Sequence, residues 1–178
     1  MSEEKKEKWL NFVALTTVAL AVCATLSTFK GGQYSTRSVM SQSQASNQWS
    51  YYQAKSIKGY IYEGQKEGLE ADLKKQGDSL APELKQQFQD KITAYNDKLK
   101  RYDQEKADIS VEAKRLEGVR DLSQQHSQAF GMALIFLQIG ILLSSISALL
   151  KKKPLWFLGM AVGACGMVYF FNGFFLFF

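Results

Sequence analysis

Three apolar blocks, each long enough to cross a bilayer, constrain this chain more than any other feature. The first, Trp9 to Phe29 (WLNFVALTTVALAVCATLSTF), holds no charged residue over 21 positions, and a crossing needs roughly 20. The second runs from Gln128 to Leu150 (QAFGMALIFLQIGILLSSISALL), and the third from Pro154 to Phe178. Seven of the last ten residues are aromatic, a composition suited to a membrane interface. None of the blocks has the polar face of a soluble core helix. The sequence therefore predicts an all-α integral membrane protein with three transmembrane helices. Its expected segments are an N-terminal tail (1–8), spans at 9–29, 128–150 and 154–178, an extramembrane segment at 30–127 and a lysine turn at 151–153.

The overall hydrophobic fraction of 46% hides this segregation. Charges lie before and between the blocks, and residues 30–127 carry 16 Lys/Arg against 14 Asp/Glu. The net charge of +5 owes three units to Lys151, Lys152 and Lys153. Basic residues wedged between two apolar blocks mark a cytoplasmic membrane flank rather than a phosphate-binding face, so nucleic acid is not an expected partner. Lys5, Lys6, Lys8 and the lysine turn together place the N-terminus inside and the 30–127 segment outside. Lys30, Arg37 and Arg120 oppose that orientation, but long loops weigh little in the rule. The first block reads as an uncleaved signal anchor, since its apolar run continues past Cys23 to Phe29. Cys23 and Cys165 both fall inside apolar blocks, where cysteine acts as a small packing residue.

The extramembrane segment reads as a long antiparallel, coiled-coil-like helical hairpin between the first and second spans. Phe88, Ile92, Tyr95, Leu99, Tyr102, Lys106, Ile109, Ala113 and Leu116 recur at alternating steps of four and three, a heptad seam with one polar intrusion at Lys106. No proline separates Pro82 from Pro154, so one helix of about 70 residues, roughly 105 Å, is expected, with Pro82 in its first turn. The preceding arm, 34–76, is a weaker helix containing Gly59, Gly64 and Gly68, each costing about 1 kcal/mol relative to Ala. Its expected apolar contacts are Trp49, Tyr52, Ile57, Ile61, Leu69 and Leu73. Gln76-Gly77-Asp78-Ser79 supplies the turn, with Gly77 ending one helix and Asp78 or Ser79 capping the next. Folding about it sets Phe88 beside Leu69, Ile109 near Trp49, and Gly64 and Gly68 level with Tyr95.

Small residues line each span: Ala14, Thr17, Ala21, Ala24 and Thr28 in the first; Gly140, Ser144 and Ala148 in the second; Gly159, Gly163, Gly166 and Gly173 in the third. Lipid tails give helices no hydrophobic reason to associate, so close backbone approach must hold them. These stripes are expected to serve helix packing or oligomerisation, within one chain or between chains. Gln138 and Asn172 are expected to form interhelical hydrogen bonds, while Asn11 lies near an interface. The spans contain no Asp, Glu, Lys, Arg or His of the kind that lines substrate and ion paths.

Catalytic chemistry is not expected. His126 is the only histidine, and it lacks the partners of a triad or a zinc site. Gly64 to Gly68 is not followed by the lysine of a phosphate loop. The sequence thus predicts no enzyme, cofactor or metal. Its expected partners are the lipid bilayer and further copies of itself, or an unidentified protein docking on the hairpin. The leading expectation is a scaffold of the inner membrane, with an oligomeric channel or membrane chamber as the alternative and an enzyme far behind.

The stretch EKKEKWLNFVALTTVALAVCATLSTFKGGQYSTR, followed by the YYQAKSIK helix, the coiled coil and two terminal spans, resembles a bacterial membrane family labelled domain of unknown function four-three-three-seven. The resemblance covers nearly the whole chain and implies a bacterial inner-membrane location. It brings no activity, ligand or site residues.

Overall fold

A computed structural model describes the backbone of residues 2–76 and 79–178, with side chains from Trp9 onward. The side chains of Lys5, Lys6 and Lys8 and the expected turn residues Gly77 and Asp78 lie outside the described residues. The chain forms three helices: α1 (Ser2–Gln76), α2 (Pro82–Leu150) and α3 (Lys153–Phe175). No strand occurs among the described residues. The near-absence of proline accounts for their length, because nothing interrupts the ladder of main-chain hydrogen bonds. Each helix contains a stretch long and apolar enough to cross a membrane.

The helix ends follow from local chemistry. The Gln76 carbonyl accepts bonds from the Ser79 and Leu80 amides and from the Ser79 hydroxyl. Ser79 therefore closes α1 instead of capping α2 as expected. Pro82 takes the first position of α2, and the Ala81 carbonyl accepts from the Lys85 amide. At the far end Lys151 adopts a left-handed conformation, φ 56°, which lets the Lys152 amide reach back to the Ser147 carbonyl. The Ser147 hydroxyl in turn donates to the Lys152 carbonyl at 2.8 Å. This is a Schellman closure made without the usual glycine. Lys153, expected in the turn, already belongs to α3.

The chain divides into two units, Met1–Met40 with Val119–Phe178, and Ser41–Gly118. In the first, parts of α1 and α2 pack with all of α3. Trp9 meets Trp156 with ring centroids 6.3 Å apart, and the Trp156 indole donates to the Thr16 hydroxyl at 3.2 Å. The core is Ala24, Phe130, Ala133, Leu137 and Phe170, with Phe130, Ala133 and Leu137 fully buried. Its exterior is apolar: Phe12, Leu15, Val22, Ile135, Leu142 and Val168 are all exposed. A continuous coat of this kind is stable against hydrocarbon, not water.

The glycines of α3 allow this packing. A Cβ added at Gly140 would stand 3.0 Å from the Gly159 carbonyl oxygen and 3.1 Å from the Gly163 Cα, both backbone atoms. One at Gly166 would meet the Leu137 amide nitrogen at 2.9 Å, and one at Gly173 the Phe130 ring at 2.8 Å. Gly140→Ala should accordingly lower stability by about 1–3 kcal/mol, the usual penalty of overpacking. Gly131→Ala meets open space and should be neutral or stabilising by up to about 1 kcal/mol. Lys151→Gly should add about 1 kcal/mol by removing the left-handed strain. Thermal unfolding in detergent, followed by circular dichroism, checks all three signs.

Candidate functional site

In the apolar unit, the small residues expected to mediate packing do not all share one face. Gly159, Gly163, Gly166 and Gly173 are buried together on α3, and Gly140 and Ser144 face them from α2. Ala148 is half-buried, and its neighbour Ser147 is the fully buried residue. On α1 the stripe is displaced. Ala14, Ala21 and Thr28 are exposed, Thr17 is half-buried, and Ala24 is buried. The inward face is instead Trp9, Val13, Leu20, Ala24, Ser27 and Gly31. Size explains the shift, because the hollow at Gly163 is filled by the Leu20 side chain, 2.9 Å from where a Cβ would stand. A small residue on one helix calls for a large one opposite, so the α1 face could not be small throughout. The α3 glycines are therefore occupied by contacts within the chain.

A polar cluster ties the three helices together near one end of this unit. Tyr34 of α1 stacks on His126 of α2, centroids 4.4 Å apart. His126 Nδ1 lies 2.9 Å from the Gly173 carbonyl of α3; that oxygen can only accept, so Nδ1 carries the hydrogen. The Ser127 hydroxyl donates to the Gly31 carbonyl. Asn172 does not bridge helices as expected. Its side-chain oxygen accepts from the Phe177 and Phe178 amides, and its nitrogen donates to the Phe178 carbonyl, so it caps the end of α3. Gln138 and Asn11 are exposed. Ser144 is buried with no hydrogen-bond partner for its hydroxyl among the described residues. An open groove of about 450 Å³ lies against Gln125, Gln128, Met132 and Tyr169. Among the described residues no three His, Cys, Asp or Glu side chains converge as metal ligands would.

In the polar unit, α1 and α2 pair in opposite chain order. Trp49 donates its indole hydrogen to Glu117 at 2.9 Å. Lys55 pairs with Glu105, Gly59 faces Leu99, and Tyr62 meets Tyr95 and Tyr102 at 5.4 and 5.9 Å. Tyr102, Ala113 and Leu116 are buried, while Phe88, Ile92, Tyr95, Leu99, Lys106 and Ile109 are half-buried. The facing residues of α1 include Ala45, Tyr52, Lys55, Gly59, Tyr62 and Leu69, a seam more polar than a coiled-coil core. Its lysines lie over rings: Lys55 Nζ is 5.0 Å from the Tyr102 centroid and Lys98 Nζ 4.6 Å from that of Tyr62. Cation–π attraction lets such side chains remain in the seam with their stems packed.

Two expectations fail here. Ile57 and Ile61 are 59% and 53% exposed, because the α1 seam runs through Gly59 and Tyr62. Gly64 and Gly68 touch nothing within 4 Å of an added Cβ, and Gly59 is the glycine that admits a knob.

Charge pairing shifts several titrations. The hydrogen bond from Lys55 holds Glu105 below its ordinary value of 4.5, and the bond to Asp103 raises Lys106. Arg115 grips Glu112 with two bonds of 2.7 Å, lowering the acid and raising the guanidinium. The bond from Arg120 lowers Asp121. A carboxylate with a depressed folded pKa adds stability above its unfolded value, lost as pH falls through the folded one. Hydrogen exchange around Lys55 and Glu105 should therefore accelerate as pH drops below about 4.5, after correction for intrinsic rates. Glu105→Gln should flatten that acid limb. An unchanged profile would show that the pair contributes nothing.

No curated protein and no solved structure matches the sequence. A family model does match, over residues 9–176, a range that takes in both units apart from the outermost terminal residues. The chain belongs to the family described as Domain of unknown function (DUF4337).

Proposed function

We propose that this protein is a non-enzymatic assembly scaffold of the bacterial inner membrane. The apolar unit anchors it through three transmembrane helices, and the paired polar segments of α1 and α2 form an extramembrane coiled-coil hairpin that builds a homo-oligomer or docks a partner. The observation that carries this reading is the seam of the polar unit. It joins α1 to α2 through the Trp49–Glu117 hydrogen bond, the Lys55–Glu105 ion pair and the Tyr62 cluster. Such contacts fix a register between two helices and leave their outer surfaces available for recognition. The lysine turn and N-terminal lysines favour a cytoplasmic N-terminus with the hairpin on the opposite side.

One observation favours an oligomeric channel or chamber instead: Gln138, in the middle of the second apolar block, is exposed. An amide in hydrocarbon needs a hydrogen-bonding neighbour or water. Gln138→Leu should abolish solute flux through liposomes if that reading holds, and leave assembly intact if it does not. The scaffold reading itself is tested by native mass spectrometry of the full-length protein released gently from its membrane. A closed homo-oligomer, or a defined complex with another protein, is expected. A free monomer would overturn it.

A further inference from the structure

The corner between α2 and α3 carries a charge that the chain itself does not neutralise. Lys151, Lys152 and Lys153 are consecutive and all exposed, and none makes an ion pair with another described residue. Asp121 is the only acid of the apolar unit among the described side chains. It is held by Arg120 and lies about 45 Å back along α2 from the corner. The first eight residues hold three lysines and three glutamates, so their side chains bring no net charge of either sign.

The flanking residues set the depth of this charge in a membrane. Leu149 and Leu150, just before it, are 81% and 53% exposed, and Phe157 and Leu158, just after it, are 60% and 53% exposed. Such side chains are stable against hydrocarbon, so acyl chains reach within about one helical turn of the lysines on both helices. Ammonium groups one turn beyond hydrocarbon stand level with lipid phosphates. The corner is also held in place. Bonds to Ser147 fix the main chain at Lys152. Lys153 Nζ lies 6.0 Å from the centroid of the Trp9 ring, which packs on Trp156.

We propose that Lys151, Lys152 and Lys153 form a binding surface for the headgroups of anionic phospholipids. The inference rests on the membrane anchorage proposed above and is independent of the scaffold role. Charge selects the occupant. Three like charges on adjacent residues repel one another, and a headgroup of net negative charge removes that repulsion. A zwitterionic headgroup brings its own cation to the same place and relieves it less. Depth selects lipid over an acidic protein, because lipid phosphates surround the corner wherever the spans cross. Lys151 and Lys152 have no competing side-chain partner among the described residues, whereas Lys153 shares its charge with Trp9.

The test places the full-length protein in vesicles of equal phosphatidylglycerol and phosphatidylcholine, with bromine on the acyl chains of one lipid or the other. Trp49→Phe leaves Trp9 and Trp156 as the only tryptophans, both beside the corner. Their quenching should report a local enrichment of phosphatidylglycerol of about fivefold, the factor that one engaged lysine supplies. Replacing all three lysines with Gln should abolish the enrichment, and replacing all three with Arg should retain it. Lys74→Gln, Lys75→Gln and Lys91→Gln together remove the same charge from exposed positions of the polar unit and should leave it unchanged. Equal quenching by the two lipids in the parent overturns the proposal, as does enrichment that survives the triple Gln substitution or is lost in the polar-unit control. Loss of enrichment on adding inorganic phosphate at constant ionic strength also overturns it, and assigns the lysines to soluble phosphate. Parent protein without lipid preference that binds polyglutamate through these lysines assigns them to an acidic protein instead. Absence of quenching by either lipid overturns the anchorage itself, whereas quenching without preference overturns only the surface assigned here.

Discussion

Backbone meeting backbone between α2 and α3 is the contact on which the apolar unit depends. Gly140 faces Gly159 and Gly163 so closely that no side chain fits between them. Hydrocarbon gives apolar helices no reason to leave it for one another, so association comes from dispersion at short range and from weak polar bonds. Everything nearby is arranged around this approach. Leu20 and Phe130 fill the hollows at Gly163 and Gly173, and Leu137 lies against Gly166. The bonds from Trp156 to Thr16 and from His126 to Gly173 then fix the helices along their length.

The polar unit holds its helices by different means. Where water competes for every hydrogen bond, a seam of tyrosines and lysines gains less from close approach than from ring stacking and stem burial. Lys55, half-buried, shares its ammonium between Glu105 and the Tyr102 ring. The arrangement is specific without being strongly apolar. Two helices held this way keep one register while leaving apolar side chains on an outer face.

Much of this was legible in the sequence. Long helices followed from the scarcity of proline, the apolar stretches from their lack of charge, and the inward positions of α2 from an unbroken run of steps of three and four. The inward face of α1 was harder to read. Lys55, Tyr62 and Gly59 look polar or neutral to a periodicity count, although each occupies the seam. Ile57 and Ile61 look like core residues and point outward. Beyond Trp9, the apolar α1 stripe was misplaced by about one residue, because choosing between Ala21 and Leu20 requires knowing that a glycine stands opposite. Asn172 was misread for a similar reason: a polar residue within an apolar block suggests a bond between helices, and only the path of the last residues shows that its amide serves their main chain.

The closed turn between α2 and α3 restricts how this chain can vary. Lys151 and Lys152 form the whole connection, locked by the Ser147 bonds. Each residue of an α-helix advances the rotation by about 100°. A single deletion there, propagated into α3, would rotate Gly159, Gly163 and Gly166 away from α2 and bring Met160 and Ala164 to the places where only a hydrogen fits, and a single insertion would bring Leu158 and Val162. The length of that turn therefore sets the rotational phase of α3. Substitutions at its lysines can be absorbed, but a change in residue number cannot.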